Sequence, residues 1–169
     1  MSKTITTALV AAAVLVAGVS AYASTQRGSS ADRTPQGQDA AWLNQQSAAL
    51  ASLKASDGWS WLPGGVMWRR VKGDGTGVHP TVDDAVTLHY TGTLVDGTEF
   101  DSSAGGPPAT FRLGQLIEAW QIAVPQAGVG DTIEIATPSD LAYGPYGSGP
   151  IPGGATLFFQ IELLAVPGR

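Results

Sequence analysis

Cysteine is absent from the 169-residue chain. Without thiols there is no disulfide, no thiolate metal ligand and no lipid-modified cysteine at a cleavage site, so packing alone has to hold the fold. Charge is scarce as well: 9 Lys and Arg stand against 14 Asp and Glu, for a formal net charge of −5. That balance excludes a nucleic-acid partner, which requires cations clustered on one face. Arg69, Arg70 and Lys72 come nearest to such a cluster, and three cations along one strand are expected to form a solvated face. Histidine occurs only twice. His79 precedes Pro80 in a turn and His89 falls on the polar side of a strand, so both are expected to be solvated. No Gly-x-Ser-x-Gly elbow surrounds Ser148 to complete a Ser-His-Asp hydrolase. The segment Gly73-Asp74-Gly75-Thr76-Gly77 lacks both the Lys-Ser/Thr of a phosphate loop and the bidentate Glu of a calcium loop, which leaves a turn. No metal and no cofactor are expected.

A long apolar run is missing too. Residues 8–19 are apolar but too few to cross a bilayer comfortably. Lys3 precedes them, and Ala21-Tyr22-Ala23 follows as a small-residue cleavage site before Ser24, so residues 1–23 read as a secretory signal. The expected location is outside the cytoplasm, in the periplasm. The alternative is an uncleaved segment, uncharged from Ile5 to Ala23, that anchors the protein to the inner membrane. Residues 24–38 are rich in Ser, Gly, Thr, Gln and Pro with no hydrophobic period, the composition of a flexible linker. Residues 39–62 read as a helical arm. Asp39 can cap a helix, Ala40, Leu43, Leu50 and Leu53 mark a weak apolar stripe running to Lys54, and Gly58 with Pro63-Gly64-Gly65 closes it. Trp59 and Trp61 fit no pattern. A compact domain is expected over residues 63–169.

That domain is organised around residues 86–103. Val86, Leu88, Tyr90 and Leu94 alternate with Thr87, His89, Thr91 and Thr93, the period of a half-buried strand. Asp96-Gly97 offers a two-residue turn, and the chain returns through Glu99, Phe100 and Asp101. Tyr90 and Phe100 therefore ride on neighbouring strands with an acid beside the phenyl ring. Further strands are expected over residues 66–72, 109–113 and 157–165 and around Ile133 and Ile135. Leu116, Ile117, Trp120 and Val124 recur at helical spacing until Pro125 ends the helix. In the last strand Leu157, Phe159, Ile161 and Leu163 share one face. Residues 142–154 are a loop by every local sign, yet an apolar one, and such a loop needs something to cover. Together these give an α+β domain: a bent antiparallel sheet of five to six strands wrapped around one short helix, preceded by the N-terminal helical arm. Trp120 on that helix would face Tyr90, Phe100 and Phe159, leaving a shallow apolar pocket.

Five segments now carry a resemblance. Leu88-His89-Tyr90-Thr91-Gly92, Asp96-Gly97 through Phe100-Asp101-Ser102-Ser103, Ile117 to Trp120, Pro138 to Gly144 and Ala155 to Leu164 resemble the FKBP-type peptidyl-prolyl cis-trans isomerases, in the family's order and near its spacing. The resemblance implies an FKBP-like fold and isomerisation of X-Pro bonds during the folding of exported proteins. It implies a proline pocket with Trp120 as floor and Tyr90, Phe100 and Phe159 as walls. Leu116 and Ile117 would line its mouth, with the Ile117 N–H donating to a substrate carbonyl. Asp101 would lie beside the reacting amide, either as a catalytic dipole or as a carboxylate that holds the pocket tyrosine. The Tyr143 hydroxyl and Ile151 would come from the rim loop. The implied partners are proline-containing polypeptides and the macrocyclic inhibitors of the family, with no cofactor and no metal. A proline-peptide-binding chaperone module with little catalysis is the alternative. Departures bear on pocket breadth: Ala109 stands where some members carry an aromatic, Ala119 replaces a common Gly, Ser148 stands near a frequent His, and the rim loop is one residue short.

Overall fold

The alternation that begins at Val86 becomes the longest strand among the described residues. The computed structural model describes residues 39–169, so the signal expected over residues 1–23 and the linker over 24–38 lie outside it. Seven strands form one antiparallel sheet: β1 (Ser60–Trp61), β2 (Met67–Lys72), β3 (Ala85–Leu94), β4 (Glu99–Ser102), β5 (Ala109–Arg112), β6 (Thr132–Thr137) and β7 (Leu157–Ala165). Their order is β1-β2-β6-β7-β3-β4, and β5 shares the β3 edge with β4. The strand beyond the expected five or six is β1, two residues long, which pairs Ser60 with Trp68 and Trp61 with Met67. Two residues carry no readable period.

Between β3 and β4 lie four residues, 95–98, and Thr98 pairs back with Leu94 so that the turn itself has three residues rather than two. Leu94 closes it by donating to the Thr98 carbonyl at 2.9 Å and accepting from Gly97 N at 2.9 Å, with Gly97 at φ 85°. Such a loop needs a left-handed residue at its end, which glycine supplies.

The short helix α2 (Glu118–Ala123) buries Ala119, Trp120 and Ala123 against the sheet. There it meets Leu88 from β3, Ile133 and Ile135 from β6, and Leu157, Ile161 and Leu163 from β7, all fully buried. The opposite face of the sheet carries a smaller apolar cluster of Trp59, Met67 and Ala136, joined by Leu50, Leu53 and Phe158.

The N-terminal helix α1 (Ala40–Ala51) starts where Asp39 accepts Trp42 N at 2.7 Å, and it ends before Lys54. Its docked face differs from the expected stripe. Trp42, Gln46 and Leu50 turn inward at helical spacing, whereas Leu43 is 44% exposed. The apolar residues were too weakly patterned to choose a face, and the partner surface chose it.

Some polar side chains have partners that the sequence did not indicate, although His79 stays exposed as expected. Two of the β2 cations are part-buried and paired, Arg69 with Glu134 at 2.6 Å and Arg70 with Asp131 at 2.9 Å, whereas Lys72 is solvated as expected, 71% exposed and 3.6 Å from Glu162. Their partners lie on β6, β7 and the turn before β6, out of reach of any local pattern. His79 is held between the carbonyls of Gly75 and Pro125 at 2.9 and 3.0 Å, contacts that raise its pKa because both favour a ring protonated on each nitrogen. His89 Nδ1 meets Ser103 Oγ at 3.0 Å.

Candidate active site

Alternation places the first two walls. Tyr90 projects from the buried side of β3 in step with Val86 and Leu88, while Phe100 reaches the same side from β4. Between them Gly92 must remain a glycine. A Cβ there would lie 2.5 Å from Phe100 Cζ and 3.0 Å from Phe159 Cε1, so both rings rest on bare backbone. Phe159 lies directly opposite Gly92 on β7.

Trp120 is the centre of the cluster. Its ring meets Tyr90 at 5.5 Å and 79°, and Phe159 at 5.3 Å and 90°. Phe159 in turn meets Phe100 at 5.6 Å and 89°. These edge-to-face contacts fix ring orientations as well as burying area. The rings enclose a hollow of about 410 Å³ including its open mouth, completed by Asp101, Phe111, Leu116, Ile117 and Tyr143. Leu116 is steadied by its carbonyl, which accepts Gln121 Nε2 at 2.7 Å. Ile117 occupies the N-cap of α2, where the first backbone N–H groups have no partner within the helix.

One charge lines this apolar hollow. Asp101 accepts the Tyr90 hydroxyl at 2.7 Å through Oδ2, and among the described residues it forms no ion pair. Burial raises the pKa of Tyr90 well above the usual phenol range, and the bond to Asp101 raises it further. The Tyr143 hydroxyl is pushed up to about 12, first by burial and then by the charge of Asp101. Both phenols therefore stay protonated at neutral pH and keep an O–H to donate. Among the described residues no three of His, Cys, Asp and Glu gather where they could hold a metal ion.

Eight of the nine residues singled out in the sequence converge on this hollow; Ile151 does not. It is buried in the core behind the rim, where Ser148 and Ile151 exchange backbone bonds of 3.0 and 2.9 Å in a tight reversal. That reversal turns the side chain inward. Phe111 was missed. It contacts Tyr90 at 6.0 Å and 66° from β5, opposite Val86. Its signal was the alternation of Ala109 and Phe111 with Thr110 and Arg112, too short to weigh alone.

With this geometry in place, comparison with known proteins decides the family. The FKBP-type peptidyl-prolyl cis-trans isomerase profile matches residues 77–164. The chain belongs to that family. It is 52% identical over 93 residues to the FKBP-type peptidyl-prolyl cis-trans isomerase FkpA of Aeromonas hydrophila, an overlap of 54% of this chain and 35% of that protein. It is 44% identical over 98 residues to FK506-binding protein 1 of Saccharomyces cerevisiae, covering 56% of this chain and 85% of that one. A crystal structure of a peptidyl-prolyl cis-trans isomerase from Pseudomonas syringae superposes with a TM-score of 0.68 at 35% identity, over 73% of this chain and 92% of that one. The chain thus spans about a third of the Aeromonas relative's length but nearly all of the Pseudomonas structure. The FKBP family match covers β3 through most of β7, the segments that bring the rings together, while α1 and β1 lie before it.

Proposed function

We propose that this protein catalyses cis-trans isomerisation of X-Pro peptide bonds in polypeptides folding outside the cytoplasm, with proline seated on Trp120. The observation that carries the reading is the hollow itself: four aromatic rings locked edge to face around an open apolar floor, with a single carboxylate at the side.

The reaction needs no nucleophile. Rotation about the amide must break resonance against a barrier of about 18–20 kcal/mol. The planar amide is dipolar and well solvated, whereas the twisted one has lost its charge separation. Transfer into a dry hollow therefore penalises the ground state more than the transition state. Leu116 and Ile117 frame the mouth, and the Ile117 N–H and Tyr143 O–H serve as donors to substrate carbonyls. Asp101 acts mainly by holding Tyr90 upright. The macrocyclic ligands for which FK506-binding relatives are named would occupy the same hollow, with Ala109 leaving one side wider than an aromatic would.

Turnover of a chromogenic proline peptide in a protease-coupled assay tests the reading. The intact chain should accelerate isomerisation, and Phe100→Ala should lose most of that activity while remaining folded, since Phe100 is only half-buried. An inert intact chain refutes catalysis and favours a binding-only chaperone. Unchanged turnover in the variant refutes the pocket. Export rests on residues 1–23, and sequencing of the mature N-terminus should give Ser24; a retained Met1 would instead indicate the membrane-anchored form.

A further inference from the structure

The rim loop has little regular secondary structure of its own. Residues 144–156 contain Gly144, Gly147, Gly149 and Gly154 at positive φ and prolines at 145, 150 and 152, so apart from one 3-10 turn over Gly144–Tyr146 no helix or strand runs through them. Beyond that turn, the Ser148–Ile151 pair and Gly154 N donating to the Gly144 carbonyl at 3.0 Å tie the backbone of the loop together. Yet residues 153–156 are all buried, and the loop carries Tyr143 at its entrance.

Further support comes from a helix more than a hundred positions away in sequence. Trp42 Nε1 donates to the Gly153 carbonyl at 3.1 Å. Gln46 Oε1 accepts Thr156 N at 2.9 Å, and the Gln46 carbonyl accepts Thr156 Oγ1 at 3.1 Å. Gln46 is the one buried residue of α1, only 4% exposed, and its Nε2 has no partner. An apolar side chain would avoid that unsatisfied donor, so burial alone does not account for a glutamine here. The acceptor does: Thr156 stands just before β7, and without Gln46 its N–H would be buried and unpaired. A short path of bonds then leads into the site. Gly153 is fixed by Trp42, the next residue Gly154 is bonded to Gly144, and Gly144 follows Tyr143.

We propose that α1 is a working part of the pocket, with Trp42 and Gln46 as positioning residues that clamp the rim loop and thereby place Tyr143. The proposal rests on the isomerase reading only for its consequence in turnover; the clamp itself is a statement about the loop.

The test uses the full chain carrying Trp42→Phe, which keeps the ring but removes the indole N–H, or Gln46→Met, which keeps the length but removes the acceptor. Amide hydrogen exchange at Gly154 and Thr156 should accelerate several-fold in both, while Ile133 and Ile161 in the sheet keep their rates. With a proline peptide, KM should rise roughly two- to tenfold, the span of one hydrogen bond, with kcat nearly unchanged. Leu50→Ala serves as the comparison. It weakens the same helix against the Trp59–Met67 cluster and should lower the unfolding midpoint with a smaller rise in KM than either clamp variant. Rim amides that do not respond, or that accelerate only in proportion to the sheet amides, would overturn the clamp. So would a Leu50→Ala KM as high as that of Gln46→Met. If the intact chain shows no turnover, the isomerase reading fails and the exchange rates alone judge the clamp.

Discussion

Phe158 and Phe159 are neighbours on β7 and belong to opposite faces of one sheet. Phe159 joins Trp120, Tyr90 and Phe100 around a hollow that stays open. Phe158 joins Trp59, Met67 and Ala136 under the arm, where Leu50 and Leu53 cover them. On the covered face Arg69 also lies over Trp59 at 4.8 Å. Both faces are aromatic and apolar, so composition does not separate a functional cluster from a structural one. Coverage separates them. On the α2 face the helix is short and Pro125 follows it, so apolar rings remain uncapped beside its N-terminus. On the other face the arm packs over Met67 and Ala136, while Trp59 and Phe158 still border a groove that runs toward Leu94 and Val95.

That contrast can be broken in three places. The largest effect is expected for Trp120→Ala, which removes the shared ring from beneath Tyr90 and Phe159. Turnover should fall to the uncatalysed rate, and denaturant unfolding should lose about 3–5 kcal/mol, the usual penalty for deleting a buried aromatic. A folded Trp120→Ala protein with normal turnover would end the distinction between the faces. Next comes Met67→Ala on the covered face. Denaturant unfolding should lose about 2–5 kcal/mol by the same cavity argument, while kcat/KM well below the unfolding midpoint stays within a factor of two. A specific loss of turnover there would mean that the covered face reaches the chemistry.

The smallest effect sharpens the comparison through pH. The Tyr143 phenol has a folded pKa raised to about 12 by burial and by Asp101, against an ordinary value of 10.0. The folded state therefore keeps its proton where the unfolded state releases it. Its contribution to stability is complete below pH 10 and is lost as pH rises through the folded value. Unfolding midpoints should decline from about pH 10 upward, and Tyr143→Phe should flatten part of that decline, with Tyr90 responsible for the remainder. An unchanged slope in the variant would place Tyr143 in water rather than at the pocket edge.

Much of this was legible in the residues. Alternation along Val86 to Leu94 and Leu157 to Ala165 assigned Tyr90 and Phe159 to the buried side, and helical spacing assigned Trp120, because periods of two and 3.6 are local properties of the backbone. The family segments added Asp101, Leu116, Ile117 and Tyr143. What escaped depends on partners far along the chain. The face of α1 was fixed by Gly153 and Thr156, the pairing of Arg70 by Asp131, and the placement of His79 by Pro125. Ile151, which the resemblance expects at the rim, is buried in the core cluster beside the hollow rather than in its lining.

By itself the sequence determined which side of their strands Tyr90 and Phe159 would take, because side-chain direction follows from the pleat. Only the tertiary structure decided which of the two apolar faces would receive the arm and which would gather its rings around the hollow. That outcome turned on a helix packing against residues more than a hundred positions away, and contact at such separation depends on how the whole sheet bends.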